Sequence, residues 1–169
     1  MARNPEQKGF NPLNLGNKKL LWHGTRFSNF VGILTQGMRI APPEAPCSGY
    51  LFGKGIYFAD MAQKSTNYCR AYDSKNIGLM LLCEDALGNP QQYLRPDHNA
   101  SNLKPGCNCT HAVGMTRPEA KGSMTFEKNI EVPMGKSENF SGGGMGVNEW
   151  VVYNTNQVKI RYIVKFKQG

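Results

Sequence analysis

The sequence predicts an α+β fold in which mixed, mainly antiparallel β-sheets carry a few flanking helices. Apolar runs of strand length recur to the C-terminal end, whereas helical periodicity is confined to two stretches near the start. A content of 19 Gly and 10 Pro also favours loops over long helices. The 169 residues suit one domain with its own core, so we expect a loosely ordered leader over residues 1–17 and a single domain over residues 18–169.

The first predicted strand is the apolar run Leu20–Trp22, which stops at a His-Gly pair. A glycine at the end of a buried strand lets the backbone approach another group closely, although it can equally be a simple turn. A helix over residues 26–36 follows, with Thr25 as its N-cap and Gly37 as its C-terminal stop. The apolar stripe of that helix consists of Phe27, Phe30, Val31 and Leu34.

Residues 41–55 contain three prolines and three glycines, which predicts a structured loop, and the short strand Ile56–Phe58 follows it. Asp60 is the expected N-cap of a second helix that extends to about residue 72. The residues expected on one face of this helix are Met61, Ser65, Tyr68 and Tyr72.

The second half of the chain is predicted to consist mainly of strands and turns. Ile77–Leu82 is an apolar run that suits a buried strand, and residues 88–146 are rich in turns apart from the brief segment Asn129–Pro133. At the C-terminal end, Trp150–Tyr153 and Val158–Phe166 are typical of the two arms of a β-hairpin.

Charge and cysteine content narrow the classes of protein. The formal net charge of +8 favours anionic partners such as nucleotides, nucleic acid or acidic proteins, although a basic surface can also serve solubility alone. The five cysteines are odd in number and scattered, which argues against a secreted disulfide framework and for an intracellular, reducing compartment. The sequence contains no run of 18 or more apolar residues, so we expect no membrane association.

Common nucleotide and metal motifs do not fit. Gly53-Lys54-Gly55 is followed by Ile-Tyr-Phe, and the glycine cluster at 142–146 has no following Lys-Ser/Thr, so neither a Rossmann site nor a P-loop is supported. Four potential zinc ligands lack the spacing of a common zinc finger, and we expect no metal. These residues are His98, Cys107, Cys109 and His111.

Four separated segments are the most informative: Leu20–Thr25, Gly53–Asp60, Ser65 with Tyr68, and Asn148–Trp150. Together they resemble the catalytic domain of the poly(ADP-ribose) polymerase family, with its His-Tyr-Glu triad. The resemblance covers roughly residues 18–167, and the motifs occur in the order that the family has.

The resemblance implies a binding site for NAD+ as co-substrate. Gly24 would hold the nicotinamide carboxamide through its backbone, and Thr25 and Ser65 would add hydroxyl groups. Tyr57 and Tyr68 would stack on the two faces of the nicotinamide ring, as suits a planar pyridinium cation. Local sequence alone also allows both tyrosines to be ordinary core residues.

The resemblance also assigns the remaining site residues. His23 would hydrogen-bond a ribose hydroxyl and fix the pose of the dinucleotide. Asn29 and Arg39 are similar to positions on the adenosine side, and Lys64 is similar to a position near the site. Glu149 would be the catalytic residue, because its carboxylate would bind the 2′-hydroxyl of the nicotinamide ribose and stabilise positive charge at the anomeric carbon.

The implied function is transfer of ADP-ribose from NAD+ to an acceptor with release of nicotinamide, with growth into poly(ADP-ribose) as the leading form. Residues 42–55 look like the family's donor loop, and residues 134–148 correspond to the loop beside the acceptor. The acceptor would be a protein or the growing polymer, with nucleic acid as a further candidate. Transfer of a single ADP-ribose, and a catalytically silent module that binds NAD+ or the polymer, are the alternatives. We expect a monomer, located in the nucleus by resemblance or in the cytoplasm.

Overall fold

Three β-sheets of five, four and three strands form the framework of the computed structural model, which describes residues 15–42, 44–45, 49–127 and 129–169. Residues 1–14, most of the predicted leader, lie outside the described residues, so the leader stays a prediction. The strands of the described part are β1 (Lys18–Gly24), β2 (Ile56–Phe58), β3 (Ile77–Ala86), β4 (Pro90–Tyr93), β5 (Cys109–Ala112), β6 (Gly114–Pro118), β7 (Met124–Phe126), β8 (Ile130–Val132), β9 (Ser137–Asn139), β10 (Met145–Val147), β11 (Glu149–Val152) and β12 (Val158–Lys167). The helices are α1 (Phe30–Gln36) and α2 (Ala62–Thr66), and the 3₁₀ turns are Phe27–Asn29, Ala71–Ser74, Ala120–Gly122 and Thr155–Gln157.

Antiparallel pairing dominates the three sheets. The strand orders are β12-β3-β1-β8-β7 in the five-stranded sheet, β2-β11-β5-β4 in the four-stranded sheet and β10-β6-β9 in the three-stranded sheet. Parallel pairing within the described strands occurs between β1 and β8, β4 and β5, and β6 and β10. The predicted α+β class with mixed, mainly antiparallel sheets is therefore confirmed.

The main core is shared by the five-stranded and four-stranded sheets. Leu21 of β1 and Leu81 of β3 belong to the same buried cluster as Cys109 of β5 and Val152 of β11, and all four side chains are fully buried. Phe30 of α1 completes this cluster. The apolar runs predicted as buried strands therefore form β1 and β3, because their side chains face this shared core.

The predicted C-terminal hairpin is wrong. The strand β11 lies between β2 and β5 in the four-stranded sheet, whereas β12 pairs with β3 at the edge of the five-stranded sheet. The connection between them therefore crosses between two sheets. It contains the 3₁₀ turn Thr155–Gln157, in which Gln157 is buried and its side-chain amide donates to the Ala86 carbonyl at 2.8 Å. A register shift between Ile160 and Tyr162 also breaks the predicted alternation.

The first predicted helix is divided into two parts and lacks its predicted cap. The 3₁₀ turn Phe27–Asn29 precedes α1, and Arg26, not Thr25, precedes that turn. The Thr25 hydroxyl instead accepts a hydrogen bond from the Asn29 amide at 2.8 Å. The predicted stop at Gly37 is confirmed by its left-handed φ of 81°. The apolar stripe is only partly correct, because Phe30 is buried whereas Phe27 and Val31 are 65% and 74% exposed.

The second predicted helix is shorter than expected and does not use Asp60 as its cap. Met61 precedes α2, which ends at Thr66, and the Asp60 carboxylate accepts a hydrogen bond from the distant Asn148 amide. Arg70 then adopts a left-handed φ of 49°, which is incompatible with a continuous helix to residue 72. The predicted loop over 41–55 contains no helix or strand in its described part, and the following strand is confirmed as β2.

A fully buried acid, Asp85 of β3, lies within the five-stranded sheet. Among the residues that the structure describes, neither of its carboxylate oxygens has a hydrogen-bond partner. Burial raises the pKa of Asp85 well above the ordinary carboxyl value, and the neighbouring charge of Glu84 raises it further. The folded chain therefore keeps a proton that the unfolded chain releases above the ordinary carboxyl pKa, so this group lowers stability as the pH rises through that window.

Asp85→Val should raise the midpoint temperature of unfolding, and the gain should be larger at about pH 8 than at about pH 5. Removal of an unpaired buried polar group should raise the free energy of unfolding by about 1–3 kcal/mol. Each kcal/mol corresponds to a rise of about 2–4 °C in the midpoint temperature for a chain of this size. Differential scanning calorimetry at the two pH values measures the effect. Asp73→Asn, at an exposed acid, is the matched control and should change the midpoint little. A gain that does not depend on pH would contradict the raised pKa of Asp85.

Candidate active site

A cavity of about 640 Å³ lies at the ends of β1 and β2, beside α1, α2 and the start of β11. This volume is within the range of small-molecule sites, roughly 300–1,000 Å³. Every residue that the sequence singled out for the site contributes to its lining. Those residues are His23, Gly24, Thr25, Asn29, Arg39, Tyr57, Lys64, Ser65, Tyr68 and Glu149.

The floor of the cavity forms where the backbone of β1 meets the residue that follows β2. Trp22 and Ala59 exchange two backbone hydrogen bonds of 2.8 and 2.9 Å, which join the two larger sheets. A Cβ atom on Gly24 would stand 1.8 Å from the carbonyl oxygen of Ser65, so only glycine fits there. The buried Ser65 hydroxyl donates to the Trp22 carbonyl at 3.0 Å. The glycine at the strand end is therefore a point of close backbone approach, as the sequence indicated.

His23 is held in one protonation state by its surroundings. Its Nδ1 lies 2.8 Å from the Tyr57 carbonyl oxygen, which can only accept, so Nδ1 carries the proton. Burial lowers the pKa of His23, and the hydrogen bond to Tyr57 opposes that change without cancelling it. The imidazole is therefore neutral at physiological pH, and Nε2 is left as a hydrogen-bond acceptor.

The two predicted aromatic residues differ in how firmly they are fixed. The Tyr57 hydroxyl donates to the Gly53 carbonyl at 2.7 Å and accepts from the Phe52 N–H at 2.9 Å. Burial raises the pKa of Tyr57, so its hydroxyl stays protonated, and the two hydrogen bonds anchor the ring at its hydroxyl end. Tyr68 is 53% exposed, which is incompatible with an ordinary core role. One wall of the cavity is thus rigid, and the other is an aromatic ring at its mouth.

Glu149 is the buried acid of the cavity. It begins β11, its residue is 6% exposed, and its Oε1 lies 3.0 Å from the Nζ of Lys64. Burial alone would lower the pKa of Lys64, but the adjacent Glu149 carboxylate raises it above the ordinary value. Lys64 also lies 5.7 Å from the centre of the Tyr68 ring. The acid is therefore part of an ion pair, a contact that sequence spacing did not predict.

The outer part of the cavity is more polar and more open. Asn29 donates to Thr25 at 2.8 Å, and Arg39 is exposed. Tyr50, which the sequence analysis did not single out, also lines the cavity, with its ring 6.1 Å from that of Tyr57. An aromatic residue within a loop rich in proline and glycine was the available signal. Positions 43 and 46–48 of the predicted donor loop lie outside the described residues.

The potential zinc ligands take other roles. His111 stacks on Trp150 with ring centres 3.8 Å apart and bonds to Asn148, and His98 contacts the Tyr50 carbonyl. Among the described ranges, no three His, Cys, Asp or Glu residues are grouped so that they could hold a metal ion. In the same ranges, none of the helices has both the length and the apolar character that a bilayer crossing requires.

The arrangement favours a planar aromatic ligand attached to a sugar. An anchored ring and an exposed ring can contact the faces of such a group, and the bare backbone at Gly24 can hydrogen-bond an amide. The neutral imidazole of His23 can accept a bond from a hydroxyl, and the Glu149 carboxylate can stabilise positive charge that develops nearby.

Comparisons with known proteins agree with this geometry. Residues 1–168 match the family model described as the poly(ADP-ribose) polymerase catalytic domain. The chain is 51% identical over 153 residues to poly(ADP-ribose) polymerase 2 of Arabidopsis thaliana, which covers 89% of this chain and 24% of the relative. It is 48% identical over 157 residues to poly(ADP-ribose) polymerase 2 of Homo sapiens, an alignment that covers 90% of this chain and 27% of the relative. It is 45% identical over 168 residues to poly(ADP-ribose) polymerase 1 of Xenopus laevis, which covers 98% of this chain and 17% of the relative. The chain thus spans about a quarter or less of the length of these relatives.

Gly24→Ala should destabilise the protein, because the added methyl group would collide with the Ser65 backbone. Such overpacking costs about 1–3 kcal/mol or more, which thermal unfolding can measure. Gly32→Ala is the matched control, because Gly32 also lines the cavity but has open space around its Cβ position. Gly32 lies within α1, so alanine should instead stabilise the protein by about 0.5–1 kcal/mol. Similar effects of the two substitutions would contradict the close approach at Gly24.

Proposed function

The chain belongs to the poly(ADP-ribose) polymerase family, and we propose that it transfers ADP-ribose from NAD+ to an acceptor and releases nicotinamide. The observation that carries this proposal is the convergence of His23, Tyr57 and Glu149 on one cavity. These residues come from three different strands, β1, β2 and β11. No metal is required by the proposed chemistry, because the charges are supplied by side chains and by the dinucleotide.

The proposed reaction breaks the bond between the nicotinamide nitrogen and C1′ of the adjoining ribose. The bonding electron pair leaves with nicotinamide, whose ring becomes neutral, and positive charge develops on the sugar. The Glu149 carboxylate would bind the 2′-hydroxyl and stabilise that charge. An acceptor hydroxyl would then attack C1′ and pass its proton to the same carboxylate, which would act as the base.

Nicotinamide would occupy the floor of the cavity. The backbone of Gly24 would bond to the carboxamide, and the Ser65 and Thr25 hydroxyl groups would complete its contacts. The anchored ring of Tyr57 and the exposed ring of Tyr68 would cover the two faces of the pyridinium, which gains from stacking and from cation–π attraction. Such contacts hold the leaving group in one orientation.

The rest of the dinucleotide would extend toward α1. The Nε2 atom of His23, which is not used in the bond to Tyr57, would accept a hydrogen bond from a ribose hydroxyl. Asn29 and Arg39 line the outer part of the cavity and would contact the adenosine half. Lys64, paired with Glu149, would balance the carboxylate charge before NAD+ binds.

We propose that the product is poly(ADP-ribose), built on a protein acceptor or on the growing polymer. The basic charge of the chain supports contact with these anionic products. The family resemblance points to the nucleus as the place of action. Nucleic acid as an acceptor and the monomeric state remain predictions. Transfer of a single ADP-ribose would leave one unit on each acceptor site. The length of the attached ADP-ribose chain therefore distinguishes mono-ADP-ribosylation from polymer synthesis.

Glu149→Gln should lower kcat for nicotinamide release by about 100- to 1,000-fold, because it removes the charge that stabilises the transition state. The KM for NAD+ should change little, since the amide keeps the shape of the side chain. Steady-state nicotinamide release and gel analysis of ADP-ribosylated products measure the effect. Glu119→Gln, at an acid that pairs with exposed Lys121, is the matched control and should behave as wild type. Equal rates and equal ladders for Glu149→Gln and wild type would reject the role of Glu149. A wild-type protein that binds NAD+ without releasing nicotinamide would favour the catalytically silent alternative.

Tyr68→Ala should raise the Kd for nicotinamide by about threefold to tenfold, because an aromatic contact of this kind is worth about 0.5–1.5 kcal/mol. Tyr68→Phe keeps the ring and should bind nearly as well as wild type. Isothermal titration calorimetry with nicotinamide measures both variants. If both substitutions weaken binding equally, the hydroxyl and not the ring carries the contact, and the proposed stacking is wrong.

A further inference from the structure

The strand β2 separates from β11 just before Glu149. Trp150 pairs with Phe58, but the next residue of β2's chain, Ala59, pairs with Trp22 of β1 instead. Glu149 therefore has a backbone partner on one side only, Ala112 of β5. The Glu149 carboxylate reaches the cavity through this gap between β2 and β11. Because the two strands no longer pair there, no backbone hydrogen bonds between them hold β11 against the cavity floor.

A buried side-chain amide spans the gap. Asn148 is 5% exposed, and its Nδ2 donates to Oδ2 of Asp60 at 2.7 Å. Asp60 is 8% exposed and directly follows Ala59, the residue bonded to Trp22 on the cavity floor. A bond between side chains thus takes the place of the missing backbone bonds, immediately beside Glu149.

The other end of the same amide is fixed as well. Its Oδ1 accepts from the Gly114 N–H at 2.8 Å and lies 3.1 Å from Nε2 of His111. A Cβ atom on Gly114 would stand 2.2 Å from the backbone nitrogen of Asn148, so the close approach of the two backbones requires glycine at position 114. His111 is flat against Trp150, and burial lowers the pKa of His111 to about 4, so the ring is neutral and donates through Nε2. The Asn148 side chain is therefore held by three residues: Asp60 on one side, and His111 and Gly114 on the other.

We propose that Asn148 is a positioning residue, which uses its bond to Asp60 to set the distance between the Glu149 carboxylate and the cavity floor at Gly24 and Ser65. This inference rests on the proposed function, in which that carboxylate must meet the sugar of a nicotinamide bound on the floor. Asn148 does not line the cavity, so it acts on the reaction through Glu149.

The bond between Asn148 and Asp60 can be reversed without loss of a partner, and this gives a sharp test. Asn148→Asp alone places two buried carboxylates where a bond of 2.7 Å now stands, so the gap should open. Asp60→Asn alone should be tolerated, because the new amide can turn its oxygen toward Asn148. In the double exchange, the amide at position 60 donates to the carboxylate at position 148, which still accepts from Gly114 and His111.

The experiment measures kcat and KM for nicotinamide release from NAD+, with the unfolding midpoint of each variant as a check on folding. We expect Asn148→Asp to lower kcat by about 100-fold, the effect of a misplacement of about 1 Å, with KM unchanged within about threefold. The double exchange should recover kcat to within about tenfold of wild type. Asn102→Asp, at an exposed asparagine outside the cavity, is the matched control and should leave both constants unchanged.

Two results would overturn the positioning role. One is wild-type kcat in Asn148→Asp, and the other is a double exchange that folds with the wild-type midpoint yet stays as slow as Asn148→Asp. Failure of the proposed function is distinct, because the wild-type protein would then release no nicotinamide at all.

Discussion

The two backbone hydrogen bonds between Trp22 and Ala59 join the five-stranded and four-stranded sheets at one point and let them separate beyond it. In β1, Leu21 on one side of this point packs into the shared core, whereas His23 and Gly24 on the other side line the cavity. Backbone groups that a continuous sheet would have paired are released there, and a buried polar group must then find another partner. The bond from His23 to the Tyr57 carbonyl is such a replacement. The Ser65 hydroxyl adds a second donor to the Trp22 carbonyl, which already accepts from the Ala59 N–H. The site is therefore built from the polar groups that the divergence of two sheets leaves available.

Contacts at the site also determine its chemical properties. The carbonyl of Tyr57 settles the tautomer of His23, and burial keeps that ring neutral, so one nitrogen is directed outward as an acceptor. The ion pair between Lys64 and Glu149 keeps the acid from being buried without a countercharge, which would be strongly unfavourable in a partly enclosed cavity. The pair lies next to Tyr68, so charge, carboxylate and exposed ring occupy one corner. The groups that maintain the fold at this point are the groups on which the proposed reaction depends.

The residues of the candidate site were predicted through the resemblance of four separated segments to one family, and all of them line the cavity. Gly24 follows an apolar run, and that local pattern correctly indicated a close backbone approach. The two failed helix caps have different causes. The Asp60 carboxylate binds Asn148, far along the chain, and a capping rule that considers only the next few residues cannot detect such a partner. The Thr25 hydroxyl is instead occupied by a nearby side chain, the Asn29 amide four residues later.

The failed hairpin has the same origin as the failed Asp60 cap, on a larger scale. Alternation and a short polar connection describe each strand adequately, yet they do not say which sheet a strand joins. In the connection between β11 and β12, the buried amide of Gln157 donates to the carbonyls of Ala86 and Asn108, both distant in sequence. Which neighbour a strand pairs with is decided by the packing of the whole core, whereas hydrophobic periodicity indicates only which face of the strand is buried.

Asp60 and Asp85 show how stability and function can be separated in this fold. Both acids are buried near strand ends, and burial raises the pKa of both. Asp60 accepts a bond from Asn148 beside the cavity, whereas Asp85 has no hydrogen-bond partner in the described part of the chain and does not line the cavity. For Asp60, the hydrogen bond from Asn148 offsets part of the desolvation cost of the buried carboxylate and also holds β11 at the cavity floor. For Asp85, the desolvation cost is not offset by such a bond, so removal of this acid should affect the stability of the sheet and leave the geometry around Glu149 intact.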